Sequence, residues 1–327
     1  MTILNKKNLL SPAEQEVLVC TQLDSRLTSV EIANALNAQP AAVQRILQKL
    51  ILNKVITPRV FLNVYRLGWK YINYYFSLVE DNDVVRERLA LYVKKSTKVS
   101  WFATFSGSYR YGLGVLVKDE KEFIEELQIL TKSIKCQFKM CSTVTHISLT
   151  LYPKKYLHHK YIIAKSINYG IFNHSDIIQL DAKDYHFIRS LSSYTGKSLR
   201  SLAMECKIPS SSADDKVKKW EKDRLISGYW YQVNEPSLHR DCWKMLVKLS
   251  VYSEEVNKKL HAFAEQHIRI VHLIRCYGAW DYEIGIDIET SSDFSNVVND
   301  IEYEFGVFFS SCEVLPISKI LKVEQIP

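Results

Sequence analysis

The feature that most constrains this chain is that it repeats itself. Setting Leu10 against Leu180 brings apolar positions into coincidence along most of the sequence. Ile32 and Ala33 fall on Leu202 and Ala203, Leu47 and Leu50 on Val217 and Trp220, and Val55 and Ile56 on Leu225 and Ile226. After one inserted residue, Gly107 and Tyr111 fall on Gly278 and Tyr282, and Phe123 falls on Phe294. A period of about 170 residues is far too long for a solenoid. It reads as duplication of a two-domain unit, and the 327-residue length suits several small cores better than one.

Each copy opens with a pattern for three helices. In the first, Ser11 and Pro12 mark a helix start, Thr28 or Ser29 caps a second helix carrying Ile32, Ala33 and Leu36, and Pro40 opens a third with Val43, Leu47 and Leu50 on one face. In the second copy, Asp181 and Ser198 cap, Ile208-Pro209-Ser210 makes the turn, and Ala213, Val217 and Trp220 form the apolar stripe. Short strands begin at Val55 and Leu225. Two short helices meeting at a tight turn, followed by a ribbon, form a winged helix-turn-helix, whose third helix fits the DNA major groove. On that helix the outward side chains predicted to contact DNA are Gln39, Pro40, Ala41, Ala42, Gln44, Arg45, Gln48 and Lys49, with Arg59 near the ribbon. The second copy offers Ser210, Ser211, Ser212, Lys216 and Lys219. Glutamine pairs with adenine and arginine with guanine. Asp214 and Asp215 fit the start of the helix, where its dipole favours acids; they would also repel phosphate, so the alternative for the second head is weak DNA binding or binding of a partner.

The remainder of each copy alternates as β-α-β-β-α-β, the ferredoxin-like order. In copy 1 strands are expected over 71–78, 99–105, 109–117 and 143–151, with helices carrying Val85, Leu89 and Val93, then Phe123, Leu127 and Leu130. Copy 2 repeats this over 242–321. The predicted fold is therefore α+β. Winged helix-turn-helix domains occupy 1–66 and 177–237, ferredoxin-like domains occupy 67–152 and 238–327, and 153–176 is a linker with an ordered piece near 161–167. The two sheets are expected to pair as a pseudo-dimer.

These segments resemble the Lrp/AsnC family of feast/famine regulators over nearly the whole chain, twice. Lys216-Val217, Trp220-Glu221 and Arg224-Leu225-Ile226 follow that family's R-V-x-x-L-E-x-x-G-x-I. Copy 1 keeps Gln39-Pro40, Leu50 and Val55-Ile56, but has Ile46 for arginine and Lys54 for glycine. Leu62-Asn63 and Leu67-Gly68-Trp69 resemble L-N-P-x-x-L-G-Y. The family's G-x-x-D-Y loop is matched by Gly278, Asp281 and Tyr282, whereas copy 1 has Arg110 in place of the acid. The resemblance implies two effector pockets, one lined by Gly107, Ser108, Tyr109, Arg110 and Tyr111, the other by Gly278, Ala279, Trp280, Asp281 and Tyr282. Arg110 is expected to face Asp281 across the pseudo-dimer.

The net charge of +7 suits a polyanionic partner. Seven cysteines without a CxxC pair fit a reducing cytoplasm, and no apolar run reaches the length of a signal sequence or membrane helix. His158-His159 reads as solvated linker rather than a metal pair, and no Walker, HExxH or GxSxG motif occurs. The expectation is a non-enzymatic regulator without cofactor or metal, with double-stranded DNA and a small-molecule effector as partners and self-association through its sensing domains. One alternative is a DNA-silent partner of other regulators. The other is an enzyme like the siroheme decarboxylases, which resemble this family in architecture. Such an enzyme would need cations and histidines around a tetrapyrrole. His146, His267 and His272 are the candidates, although the expected arginine-rich segment is not evident.

Overall fold

The computed structural model describes residues 10–158, 166–171, 176–193, 198–238 and 240–327. Copy 1 runs α1 (Pro12–Thr21), α2 (Ser29–Leu36), α3 (Pro40–Leu52), β1 (Ile56–Leu62), β2 (Lys70–Leu78), α4 (Asp83–Lys95), β3 (Val99–Phe105), β4 (Tyr111–Val117), α5 (Glu120–Ile134) and β5 (Phe138–Leu151). A short β6 (Ile167–Gly170) follows. Copy 2 runs α6 (Ala182–Ser192), α7 (Leu199–Glu205), α8 (Ser210–Lys222), β7 (Ile226–Val233), β8 (Asp241–Leu249), α9 (Glu254–Gln266), β9 (Ile270–Gly278), β10 (Tyr282–Ile288), α10 (Ser291–Phe305) and β11 (Phe309–Val323). The α+β fold, with two helix-turn-helix heads and two ferredoxin-like units, is the one the sequence predicts. His159 and most of the ordered piece expected near 161–167 lie outside the described residues.

Local chemistry sets the heads. Ser11 with Glu14, and Thr28 with Glu31, form reciprocal capping boxes that start α1 and α2. Pro40 sits in the first turn of α3, where its missing N–H removes no helical hydrogen bond. Between helices two and three the chain turns through Asn37 (φ 52°) in copy 1 and Lys207 (φ 58°) in copy 2. After the third helix it turns again at Lys54 (φ 55°) and Arg224 (φ 58°). The sequence pattern this segment resembles has glycine at both of these last positions, and the left-handed geometry is kept without it.

The ribbon differs from the two-stranded wing expected in each head. β1 and β7 pair antiparallel with each other, Arg59 opposite Trp230, so one ribbon serves both copies. Each head also packs on the other copy's strand. Val60 and Leu62 join the core around Phe187, Ile188 and Trp220, while Tyr231 and Val233 join the core around Leu18 and Leu50. Burying such side chains contributes roughly 1.5–3 kcal/mol each, which ties the heads to one another.

The two ferredoxin-like sheets close on each other. Copy 1 is ordered β5-β2-β4-β3 and copy 2 β11-β8-β10-β9. β5 continues onto β9 and β11 onto β3, completing an eight-stranded ring with β6 on its flank. The registers correspond over most of their length. Asn73 faces Gly114 as Lys244 faces Gly285, and Leu149 faces Ile274 as Ile320 faces Ala103. Helices α4 and α5 cover one outer face, with Phe76, Leu113 and Leu130 in its core; α9 and α10 cover the other, with Val247, Ile284 and Ile301. The inward side chains of both sheets meet in the barrel.

Candidate functional site: a polar cavity inside the closed barrel

One end of the barrel is filled by Tyr75, Phe105, Val144, Leu246, Trp280 and Leu315. Toward the ribbon the barrel opens into a cavity of about 840 Å³, near the upper end of small-molecule sites. Its walls come from both copies. Tyr71, Asn73, Trp101 and His146 line it from the first, Cys242, Lys244, His272 and Ile317 from the second, and Arg59, Phe61, Trp230 and Gln232 from the shared ribbon. Seven cationic side chains (Lys54, Arg59, Lys154, Arg240, Lys244, Lys319, Lys322) line it against three carboxylates (Glu235, Asp241, Glu324).

A buried charge cluster sits where cavity and core meet. Lys244 Nζ donates to Glu283 Oε2 at 2.5 Å and to the Tyr75 hydroxyl at 2.9 Å, and stands 4.4 Å from the Trp101 ring centre. Glu283 Oε1 accepts from Trp280 Nε1 at 3.2 Å and from Asn73 Nδ2 at 3.4 Å, and lies 3.7 Å from His146 Nε2. Burial alone would raise the Glu283 carboxyl, but Lys244 and His146 overrule it and hold it below the usual carboxylate range. The His146 ring stacks on Tyr71 at 4.7 Å, and Asn73 Nδ2 lies 2.8 Å from His146 Nε2. His272 is half-buried at the cavity wall beside Lys244. Desolvation first, then that ammonium, push its imidazole down to about 3, so it is neutral at pH 7. Its Nε2 and Asn73 Oδ1 are buried polar atoms without a hydrogen-bond partner, which marks a place where a ligand group can be received. Gly285 makes room for His272, since a Cβ there would lie 2.0 Å from the imidazole.

A second cluster closes the ribbon side. Lys154, on the segment leaving β5, is buried between Asp287 and Glu235, 2.9 Å from Glu235 Oε1. Tyr156 donates to Asp287 at 2.8 Å. Desolvation pushes the Glu235 carboxyl up to about 7, and the two acids hold Lys154 charged despite its burial. Two ligand sets with metal-like spacing occur among the described residues: His146, Cys276 and Glu283, and Glu235, Cys242 and Asp287. In each, a lysine ammonium is already the counter-cation of a carboxylate.

The sequence-predicted DNA residues divide. Gln39, Ala41, Ala42, Gln44, Arg45, Gln48 and Lys49 are exposed with Pro40 half-buried, and Lys49 bonds Glu14 at 2.6 Å. In copy 2, Ser211 and Lys219 are exposed and Ser210 and Ser212 half-buried, while Lys216 pairs with Asp184 at 2.7 Å. Arg59 turns inward instead. It bonds Gln232 at 2.9 Å and the Ser192 carbonyl at 3.2 Å at the cavity wall.

The loops expected to hold an effector lie away from this cavity, against the opposite copy. Gly107 (φ 141°) sits beside Leu315, and Gly278 (φ 136°) sits beside Thr143 O, where a Cβ would lie 2.5 Å from that oxygen. Ala279 N donates to the same carbonyl. Ser108 O accepts from Ser77, Tyr109 bonds Ser142 at 2.6 Å, Tyr111 donates to Asp81 and Tyr282 to Asn257. Trp280 faces Glu283. The expected contact between Arg110 and Asp281 is absent. Arg110 lies 3.8 Å from Asp81, and Asp281 pairs with Lys248 at 3.1 Å and accepts from Leu249 N. The Arg110 and Asp281 side chains each pair within their own copy because Asp81 and Lys248 are nearer.

Sequence reasoning named His146 and His272 under the enzymatic alternative but missed Lys244, Glu283, Asn73 and Lys154. The available signal was the alternation Glu283-Gly285-Asp287, polar on the barrel's inner face.

No family model matches the chain, and no curated protein matches it. Among solved structures, the siroheme decarboxylase NirDL superposes over 96% of this chain and 93% of its own, with TM-score 0.59 and 9% identity. The same protein in complex with an iron-uroporphyrin III analogue gives 97% and 94% coverage, TM-score 0.59 and 8% identity. An AsnC family transcriptional regulator from Agrobacterium tumefaciens covers 45% of this chain and 97% of its own, with TM-score 0.40 and 13% identity. The full-length likeness is one of fold, to an enzyme. It stands against the expectation of a non-enzymatic regulator. No helix among the described residues is long and apolar enough to cross a membrane.

Proposed function

We propose that the chain binds a multiply carboxylated macrocycle of the siroheme class in the central cavity and removes carboxylate from its side chains. The observation that carries this reading is the large cavity in which cations outnumber acids and two histidines reach the interior. The full-length fold likeness to a siroheme decarboxylase is consistent with it. Lys54 and Arg59 at the wall would hold peripheral carboxylates by charge-assisted hydrogen bonds. Decarboxylation breaks a carbon–carbon bond, releases carbon dioxide and leaves an electron pair that must take a proton. In this reading His146, which lines the cavity beside Glu283, would deliver that proton to the carbon. Lys244 offsets the buried Glu283 charge. Purified protein incubated with siroheme without oxygen is expected to give a product lighter by carbon dioxide in mass spectrometry. An unchanged absorbance spectrum on mixing, with no mass loss, sinks this reading.

A second reading is DNA binding, favoured by the exposed faces of α3 and α8. Gln44, Arg45 and Gln48 lie side by side on an unobstructed helix. Arg45→Ala should then weaken specific DNA binding by roughly 1–3 kcal/mol at fixed salt. Equal affinity of variant and parent in fluorescence anisotropy removes it.

A further inference from the structure

The cavity straddles the pseudo-twofold axis, so its lining comes in related pairs that the strand registers define. Asn73 is the mate of Lys244, Trp101 of His272, and His146 of Ile317. Behind that lining, Gly112 is the mate of Glu283, facing Tyr75 on β2 as Glu283 faces Leu246 on β8. Had the copies stayed alike, the site would offer two equal half-sites. Instead the exchanges compensate within each copy. Copy 2 has a small imidazole and a buried acid, while copy 1 has an indole and no side chain. The Trp101 ring leans over Gly112, where a Cβ would lie 2.8 Å from the indole. The Lys244 ammonium sits between the two, bonded to Glu283 on one side and 4.4 Å from the Trp101 ring centre on the other.

We infer that the cavity takes one non-symmetric polycarboxylate macrocycle per chain in a single orientation, and that Trp101 is the specificity-determining residue that blocks the reversed one. This rests on the macrocycle reading above. The indole fills, with apolar surface, the space in which copy 2 holds the neutral His272 imidazole, whose Nε2 has no hydrogen-bond partner. A ligand turned about the pseudo-axis would meet a ring where it needs a polar partner, and leaving ligand carboxylates unpaired is what discriminates.

The test compares iron uroporphyrin III with its rotationally symmetric isomer, iron uroporphyrin I, by absorbance titration against the full chain. One equivalent should bind per chain, with isomer III favoured about tenfold. Trp101→His, which makes this one pair alike, should remove the preference that the indole imposes and bring the isomers toward equal affinity. Trp101→Leu, which removes the ring without adding a polar group, should do so in part, and thermal melts verify folding of both. Equal binding of the isomers by the parent chain, two equivalents per chain, or an undiminished preference in both folded variants overturns the inference and leaves the macrocycle reading standing. Binding of neither isomer by the parent chain overturns both.

Discussion

Lys244 and Glu283 form an ion pair at the heart of the barrel, Nζ 2.5 Å from Oε2, with the carboxylate wholly buried and the ammonium nearly so. Taking two charges out of water costs several kcal/mol per ion, so the pair stabilises the fold only as a unit. Removing one partner leaves the other charged and enclosed. Glu283→Ala is expected to destabilise by about 3–5 kcal/mol, and the double change Lys244→Met with Glu283→Leu by clearly less. Urea unfolding of the three proteins decides it. A double variant as unstable as the single one shows that the pair is not the unit described.

The glycine loops give a prediction in which distance decides the sign. Arg110 belongs to Asp81 and Asp281 to Lys248. A double-mutant cycle between Arg110 and Asp281 is therefore expected to return no coupling. A cycle between Lys248 and Asp281 should return roughly 0.2–1 kcal/mol, as for other partly exposed pairs. Measurable coupling between Arg110 and Asp281 contradicts the geometry described here.

How much of this was legible beforehand follows from the range of each interaction. The heads were readable because caps and turns are local: Ser11, Thr28, Pro40, Asp181 and Ser198 sit at the helix starts they mark. Strand β3 was readable at its observed bounds, from its apolar run. Closure of the barrel was not, because the β5–β9 and β11–β3 pairings join strands far apart in sequence. That hid the site. On an open sheet, Lys244, Glu283 and Asp287 read as the solvent face of alternating strands. In a closed ring the same alternation turns them inward, where all three are buried. The shared ribbon was hidden for the same reason, and Arg59 with it. The interior histidines were visible as residues but not as neighbours.

His272 should write itself into the acid limb of the stability curve. Its folded value is about 3, against 6.5 for an unburied histidine. The unfolded chain then binds more protons between these limits, so the stability it contributes is fully present above 6.5 and is lost as pH falls toward 3. His272→Gln is expected to flatten the decline of the melting temperature between pH 6.5 and 4. Parallel curves for parent and variant would mean that the imidazole is solvated. Gly285→Ala should disturb the same ring directly, costing about 1–3 kcal/mol as an overpacked site.

Glu235 acts in the opposite sense, and the two must be separated. Its carboxyl stands near 7, above the ordinary 4.5, because burial disfavours a second negative charge beside Asp287 with Lys154 as their shared cation. A raised carboxyl keeps its proton in the folded state while the unfolded chain has released it. Its contribution is therefore fully present below 4.5, fades between 4.5 and 7, and is gone above that. Below 6.5 the His272 slope runs against it, so the parent's curve alone cannot show the effect. The difference between parent and Glu235→Gln can, since the amide cannot ionise and leaves His272 in place. Relative to the parent, the variant should gain melting temperature steadily from pH 5 to 7 and hold a constant offset above. A difference that stays flat through that window would show that Glu235 is ionised beside Lys154 throughout, and that the ribbon-side cluster is an ordinary ion pair.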